Sequence, residues 1–172
     1  MMKSDNSEEI FPVVDEEGKV IGRATRGECH DGSKLLHPVV HLHVFDAEGR
    51  LFLQHRPVWK DIQPDKWDTA VGGHVDYGET IEDALRREAR EELGLADFTP
   101  EFLRSYVFES DRERELVNTF KTTVDPAAVR PSDELDGGRW LTADELRADP
   151  DSLTPNLRHE LREVLGILTG GC

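Results

Sequence analysis

Cysteine, methionine and tyrosine are scarce in this sequence, with two residues of each among 172. Cys29 and Cys172 lie far apart and match no metal-binding spacing, which indicates reduced thiols and a reducing compartment. No stretch approaches the ~18 continuous apolar residues of a membrane-spanning helix, and the first residues are polar and acidic rather than apolar. We therefore expect a cytoplasmic protein with no membrane partner.

Basic residues are also few, since 21 Lys and Arg face 36 Asp and Glu and give a formal net charge of −15. Nucleic acids and anionic membranes attract basic surfaces, so this balance predicts that neither is a partner. It does not exclude a small anionic substrate, provided that a local cation offsets the charge.

The length fits one compact domain, and the order of patterns predicts its class. We expect a flexible N-terminus over 1–9 and a single domain over 10–172. Strands followed by one long helix, more strands and terminal helices predict a mixed α/β (α+β) fold. The expected strands are a hairpin over 11–22, then 39–45, 51–54, 67–71, 102–109, 115–124 and 139–141, with 24–36 as a loop.

Three helices are expected. One spans 80–93, a short one is capped by Thr142, and the last starts at Thr154 and ends at Gly170. The last helix carries a leucine face that packs on its own sheet or on a second copy of the chain, so a monomer and a homodimer both fit.

The helix over 80–93 places carboxylates where apolar residues belong. Ile81, Leu85 and Ala89 form its apolar stripe, with about 100° between successive residues. Glu88 and Glu92 project close to the middle of that stripe, and Glu91 lies at its edge. Because unpaired buried carboxylates are costly, this pattern favours a bound cation, and clustered carboxylates suit Mg²⁺ or Mn²⁺. A surface helix with salt bridges between residues four apart is the alternative.

The spacing of this segment resembles the Nudix box over residues 73–95. The matching positions are Gly73, Glu79, Arg87, Glu88, Ala89, Glu91, Glu92, Gly94 and Leu95, of which Ala89 is the weak match. The resemblance implies a Nudix-type α/β/α sandwich around a mixed β-sheet. It also implies Mg²⁺-dependent cleavage of a nucleoside diphosphate linked to another group.

The same resemblance implies roles for single residues. Glu88 and Glu92 would be metal ligands, and Gly73 would offer its carbonyl to the metal. Glu91 would be a ligand or the general base that takes a proton from water.

Three further residues of the box would support this machinery. Arg87 would hold the glutamates in place through charge-assisted hydrogen bonds. Glu79 and Gly94 would maintain the loop and the helix.

Residues outside the box resemble type I isopentenyl diphosphate isomerases and their Nudix hydrolase relatives, over roughly 12–124. Those carrying the likeness include the segments 15–22 and 26–30, His37, Gln54, Arg56, Lys60 and Trp67. By that resemblance Arg56 and Lys60 would hold diphosphate oxygens. A second metal site would consist of His30, His37, His74, Glu113 and Glu115, a set that suits Zn²⁺ or Mn²⁺ better than Mg²⁺.

The resemblance to the isomerases breaks at Gly72, where they place a catalytic cysteine. Cys29 is not at that position, and the acidic residues of the box are all kept, so hydrolysis is favoured over isomerisation. An isomerase-like enzyme and a non-catalytic sensor of a nucleotide metabolite remain as alternatives. His37, His41 and His43 share one face of their strand, and we expect His41 and His43 to be partly exposed residues without a ligand role.

Overall fold

The computed structural model describes residues 8–56, 65–132 and 137–168. Lys60 and most of the expected flexible N-terminus lie outside this part of the chain. No helix among the described residues is long and apolar enough to cross a membrane.

Nine strands and four α-helices make up the described chain. In order they are β1 (Ile10–Val14), β2 (Val20–Thr25), α1 (Arg26–Cys29), β3 (Leu36–Phe45), β4 (Leu51–His55), β5 (Trp67–Thr69), β6 (Val71–His74), α2 (Ile81–Leu93), β7 (Glu101–Glu109), β8 (Arg114–Thr123), β9 (Gly138–Leu141), α3 (Ala143–Ala148) and α4 (Pro155–Glu163). Short 3-10 turns occur at Pro126–Ala128 and Pro150–Ser152.

The sheet is mixed and is organised around the long strand β3. Strands β1 and β2 form a separate two-stranded ladder, and the other seven form one sheet. On one side β3 pairs in parallel with β8, and on the other it pairs antiparallel with β6 and then with β4. β6 is therefore a short strand next to the middle of β3.

Helices cover both faces of this sheet. Alternate β3 residues Val40, Leu42 and Val44 pack against the apolar side of α2. On the opposite face, Leu157 and Leu161 of α4 pack on Leu51 and Leu53 of β4. The predicted sandwich around a mixed sheet is confirmed, and the leucine face of α4 lies on the sheet of its own chain.

The boundaries of α2 follow from its end residues. The Thr80 hydroxyl accepts a hydrogen bond from the Asp83 amide at 3.0 Å, which satisfies one donor of the first turn. Gly94 closes the helix with φ of 62°, a left-handed conformation that suits glycine. The helix thus occupies the predicted segment to within one residue.

Two local expectations are wrong. Residues 24–36 are not a loop throughout, because Thr25 and Glu28 form a capping box that starts α1, and β3 begins at Leu36. The last helix ends at Glu163 instead of Gly170, although Leu165 and Leu168 still pack on the same apolar cluster. The leucine spacing continued past the point where the backbone leaves the helix.

The expectation of partial exposure holds for His41, whose side chain is 12% exposed, and is wrong for His43, which is fully buried. Both bond the fully buried Glu160 carboxylate of α4, through His41 Nδ1 at 2.5 Å and His43 Nε2 at 2.8 Å. The Tyr106 hydroxyl of β7 donates to the same carboxylate at 2.5 Å. These four residues, called here the Glu160 network, attach α4 to the sheet by polar contacts beside the leucine cluster.

Replacing Glu160 with Gln removes the negative charge that both imidazoles contact. Breaking a buried pair by changing one partner costs about 3–5 kcal/mol, so we expect a loss in the free energy of unfolding of that order at neutral pH. Glu163→Gln changes an exposed residue of the same helix and serves as the control. Chemical denaturation measures both, and equal stability of the two variants would contradict the importance of the network.

The contribution of the network also depends on pH. Burial alone lowers the pKa of His41, but Glu160 outweighs it and raises that pKa from 6.5 to about 9. The contribution of charged His41 to the free energy of unfolding is therefore complete below pH 6.5 and is lost as the pH rises through about 9. Burial opposes ionisation of Glu160, yet His41 and His43 lower its pKa, so its contribution is lost in acid. In Glu160→Gln, the free energy of unfolding should depend less on pH, both in acid and as the pH rises through about 9.

Candidate functional site

A glycine within β6 makes room for a carboxylate of α2. The Glu88 side chain lies directly against Gly73, where a Cβ would overlap its carboxylate. Glu88 and Glu92 are 2% and 6% exposed, whereas the side chain of Glu91 is 46% exposed. The inward placement of the first two, and the edge position of Glu91, are confirmed.

Arg87 joins the loop before α2 to the helix itself. Its Nε and Nη2 donate to the two oxygens of Glu79 at 2.8 and 2.9 Å, and Nη2 also donates to the His74 carbonyl at 3.0 Å. Its Nη1 lies 3.6 Å from Glu88 and from Glu91. The Glu79 contact raises the pKa of Arg87, so this residue is a permanent cation among the glutamates.

Residues of β4 and β5 border the same carboxylates. Gln54 Nε2 donates to Glu92 Oε1 at 3.2 Å and to the Thr69 carbonyl at 3.0 Å. Arg56 directs Nη1 at Asp68 Oδ2, 3.5 Å away. Asp68 pairs in register with Gln54, so Arg56 is linked to Glu92 through these two residues. Its expected companion Lys60 lies outside the described residues.

The five residues of the expected second metal site come together in space. Ligand atoms of His30, His37 and His74 all lie within 4.8 Å of one another, as do those of His37, Glu113 and Glu115. These five residues are called here the histidine–glutamate cluster. Its shortest contact is 2.7 Å, between His30 Nε2 and Glu113 Oε2.

His37 is oriented as metal-binding histidines usually are. Its Nδ1 bonds the Leu35 carbonyl at 2.9 Å, which assigns the proton to Nδ1 and leaves the lone pair on Nε2. That Nε2 is buried without a hydrogen-bond partner among the described residues, and it lies 3.9 and 4.0 Å from the Glu113 and Glu115 carboxylates. Burial lowers the pKa of His37, which keeps the ring neutral.

Phe11 of β1 closes one side of this cluster. Its ring stacks on His74 with centroids 4.6 Å apart and lies 5.8 Å from His37. Phe11 is fully buried, so the N-terminal hairpin shields the imidazoles from solvent. The sequence pattern did not single out this residue, because a phenylalanine in a short hairpin is an ordinary core residue.

The carboxylates of the cluster repel each other without a cation between them. Burial, reinforced by the nearby Glu113, raises the pKa of Glu115 to about 7. Glu113 is also penalised by burial, but its contact with His30 lowers its pKa. Three imidazoles and two such carboxylates form a donor set that fits a Zn²⁺ or Mn²⁺ ion.

Strand β6 separates the two groups of ligands. Side chains alternate along a strand, so Val71 and Gly73 face α2, while Gly72 and His74 face the opposite side. The box glutamates meet Gly73, and the histidine–glutamate cluster contains His74. Consecutive residues of one strand thus serve two candidate metal sites.

The environment of Gly72 shows that no thiol occupies the position of the isomerase cysteine. Among the described residues, a Cβ there would meet His41 at 3.4 Å. Cys29 lies at the end of α1 in a separate apolar cluster with Phe11 and Ala24, and burial raises its pKa to about 11. A buried neutral thiol is a poor nucleophile.

Comparisons with known proteins agree with this geometry. The family model described as the NUDIX domain matches residues 35–164. An uncharacterized Nudix hydrolase of Yersinia pestis is 32% identical over 149 residues, covering 86% of this chain and 81% of the relative. One from Streptomyces coelicolor is 38% identical over 110 residues, covering 63% of this chain and 60% of the relative.

An isomerase and a solved structure extend these similarities. An isopentenyl-diphosphate Delta-isomerase of Mycolicibacterium vanbaalenii is 35% identical over 94 residues, covering 55% of this chain and 52% of that protein. The crystal structure of a Deinococcus radiodurans protein superimposes with a TM-score of 0.76 and 28% identity, covering 91% of this chain and 99% of that one. The chain belongs to the NUDIX family, whose hydrolases act on phosphoanhydride bonds.

Sequence reasoning missed Glu160 and Tyr106 altogether. Glu160 sits in a polar stretch of the last helix, and the contacts that bury it join residues 54, 117 and 119 positions apart. The available signal was weak: a glutamate one position before Leu161 in the apolar stripe, opposite a strand face with three histidines.

Arg87→Lys tests the connection between loop and helix. Lysine keeps the charge but cannot contact both Glu79 oxygens and the His74 carbonyl together, so we expect a loss of about 1–3 kcal/mol in the free energy of unfolding in metal-free buffer. Arg90→Lys, at an exposed position of the same helix, should change it by less than about 0.5 kcal/mol. Equal effects of the two substitutions would argue against a bracing role for Arg87.

Proposed function

We propose that this protein is a divalent-metal-dependent pyrophosphohydrolase that cleaves a diphosphate bond by attack of water. The substrate class is a nucleoside diphosphate derivative or a related small phosphorylated metabolite. The observation that carries the proposal is the pair of buried carboxylates, Glu88 and Glu92, held against Gly73 beside the fixed cation Arg87. Buried carboxylates in such a cluster require a compensating cation.

Some residues of the box would bind the metal, and one could accept a proton from water. Glu88, Glu92 and the Gly73 carbonyl are oxygen donors of the kind that Mg²⁺ and Mn²⁺ prefer. When bound, such an ion offsets charge on the phosphate oxygens and lowers the pKa of a coordinated water. Glu91 remains the exposed carboxylate of the group, so it can act as a further ligand or accept the proton of the attacking water.

Arg87 and Glu79 act as positioning residues in this proposal. Their bidentate contact joins the loop that carries Gly73 to the helix that carries the glutamates. Arg56, near Glu92 through Asp68 and Gln54, supplies a guanidinium for substrate phosphate, and Lys60 is proposed as its companion.

The histidine–glutamate cluster supports a second metal site. Its support is the orientation of His37, whose neutral Nε2 points at two carboxylates in a buried, aromatic-walled space. We assign Zn²⁺ or Mn²⁺ to this site because mixed imidazole and carboxylate ligands suit those ions.

An isomerase acting on isopentenyl diphosphate is the second candidate. The clustering of His30, His37, His74, Glu113 and Glu115, together with the partial likeness to an isomerase, favours it. Gly72 argues against it, because no described thiol is available there. A sensor that binds without turnover has no need of the exposed Glu91 beside two buried carboxylates.

Glu92→Gln tests the hydrolase proposal. The variant removes one charge at nearly constant shape, so turnover should fall by more than about 100-fold while the melting temperature in metal-free buffer stays close to the wild-type value. Phosphate release is measured on nucleoside di- and triphosphates, nucleotide sugars, dinucleotides and isopentenyl diphosphate, with Mg²⁺ and with Mn²⁺.

Glu82→Gln is the matched control for this experiment. Glu82 is an exposed carboxylate of the same helix, and it pairs with Arg86 in the next turn. Its replacement should leave turnover within about twofold, since an exposed pair of this spacing contributes about 0.2–0.5 kcal/mol. Turnover that survives in Glu92→Gln refutes the proposed role, and formation of dimethylallyl diphosphate would establish the isomerase instead.

His37→Asn tests the second metal site. Asparagine can still donate to the Leu35 carbonyl from the position of Nδ1, but it lacks the Nε2 atom. Metal analysis after equilibration with Zn²⁺ or Mn²⁺ and dialysis should show one ion fewer per chain than in wild type. His55→Asn changes an imidazole outside the cluster, paired with Asp65, and should retain every ion. Equal metal content in all three proteins would disprove the site.

A further inference from the structure

The Glu160 network places a cation on the sheet face opposite α2. Glu160 is fully buried and takes hydrogen bonds from His41, His43 and Tyr106. A buried carboxylate needs a compensating positive charge, and Tyr106 is a neutral donor whose pKa burial and Glu160 raise. The charge therefore resides on one of the two imidazoles.

The hydrogen bonds assign that charge to His41. His43 donates from Nε2, and its buried Nδ1 has no hydrogen-bond partner among the described residues. An unpartnered lone pair is less costly there than an unpartnered N–H, so His43 is the neutral ring. His41 is the ring closest to Glu160, and its side chain is 12% exposed.

The second nitrogen of His41 lies on the Gly72 side of the ring, 3.6 Å from where a Cβ on Gly72 would be. The His41 side chain keeps 12% of its surface exposed. Nε2 makes no hydrogen bond to a described residue. The charged ring of His41 has two N–H donors, and only the one at Nδ1 has a partner among the described residues. The donor at Nε2 faces a partly exposed stretch of the sheet.

This stretch adjoins the proposed catalytic machinery. Gly72 immediately precedes Gly73 of the box. His74 of the histidine–glutamate cluster follows two residues after Gly72 on the same face of β6, about 6.6 Å along the strand from it. The other ionisable groups around His41 are Glu160, Asp68 and Glu115. A ligand bridging the two ends of β6 would pass over His41.

We propose that His41 is a substrate-binding residue whose Nε2–H contacts a phosphate oxygen, with Glu160 and His43 beneath it as positioning residues. This inference rests on the proposed hydrolase function, since it places part of a diphosphate substrate on the Gly72 side of β6. It assigns to this chain a phosphate contact that neither the box nor Arg56 supplies.

The test uses imidodiphosphate, a diphosphate analogue with a nitrogen bridge, in the presence of Mg²⁺. In His41→Asn the amide can still donate to Glu160 from the position of Nδ1, while Nε2 is deleted. We expect its dissociation constant for imidodiphosphate to rise about tenfold by calorimetry, as loss of a charged hydrogen bond implies. His55→Asn changes an imidazole outside the Glu160 network, paired with Asp65, and should bind within about twofold of wild type.

A measurement on the wild-type protein makes the proposal independent of variant folding. Imidodiphosphate should shift the ring ¹⁵N and ¹H resonances of His41, identified by their absence in His41→Asn, and leave those of His43 in place. Unchanged His41 resonances, no binding of the analogue, or equal affinity of both variants would each overturn the proposal. Turnover that depends on Glu92, with His41 unaffected, would refute this inference while the hydrolase function stands. Shifts at His41 without turnover of any compound would support the phosphate contact and refute the hydrolase function.

Discussion

The fold depends on keeping carboxylates inside a sandwich of apolar elements. Glu88 and Glu92 occupy the buried side of α2 next to Ala89 and Leu85, where desolvation of an unpaired charge would cost several kcal/mol. The chain meets this cost with Arg87 of the same helix, with Gln54 of β4 and with a glycine that lets Glu88 approach the strand. Helix capping, loop geometry and strand β6 are all arranged around that constraint.

The same problem is solved a second time on the other face. Glu160 is fully buried on α4, and there the compensation comes from histidines of a central strand instead of an arginine of the same helix. Local compensation makes a recognisable sequence pattern, whereas compensation across the sheet does not. This difference explains why α2 and its box were predictable from spacing and the Glu160 network was not.

Other features of the fold were likewise predictable where they depend on neighbouring residues and not where they depend on distant ones. Thr142 and Thr154 predicted two helix starts because capping acts within a few residues. The end of α4 was wrong by several residues because leucine spacing reports packing and not backbone conformation. The proximity of His30, His37, His74, Glu113 and Glu115 was reached only through a family resemblance, since these residues come from four separate segments.

β6 is four residues long, and its alternation assigns Gly73 to one face and His74 to the other. A slip of one residue in its pairing with β3 would exchange those faces, because side chains in a strand repeat every two residues. The glycine would then face the imidazoles, and the imidazole of His74 would collide with Glu88. One strand register therefore positions both groups of ligands, so a change in the pairing of β6 would disrupt both at once.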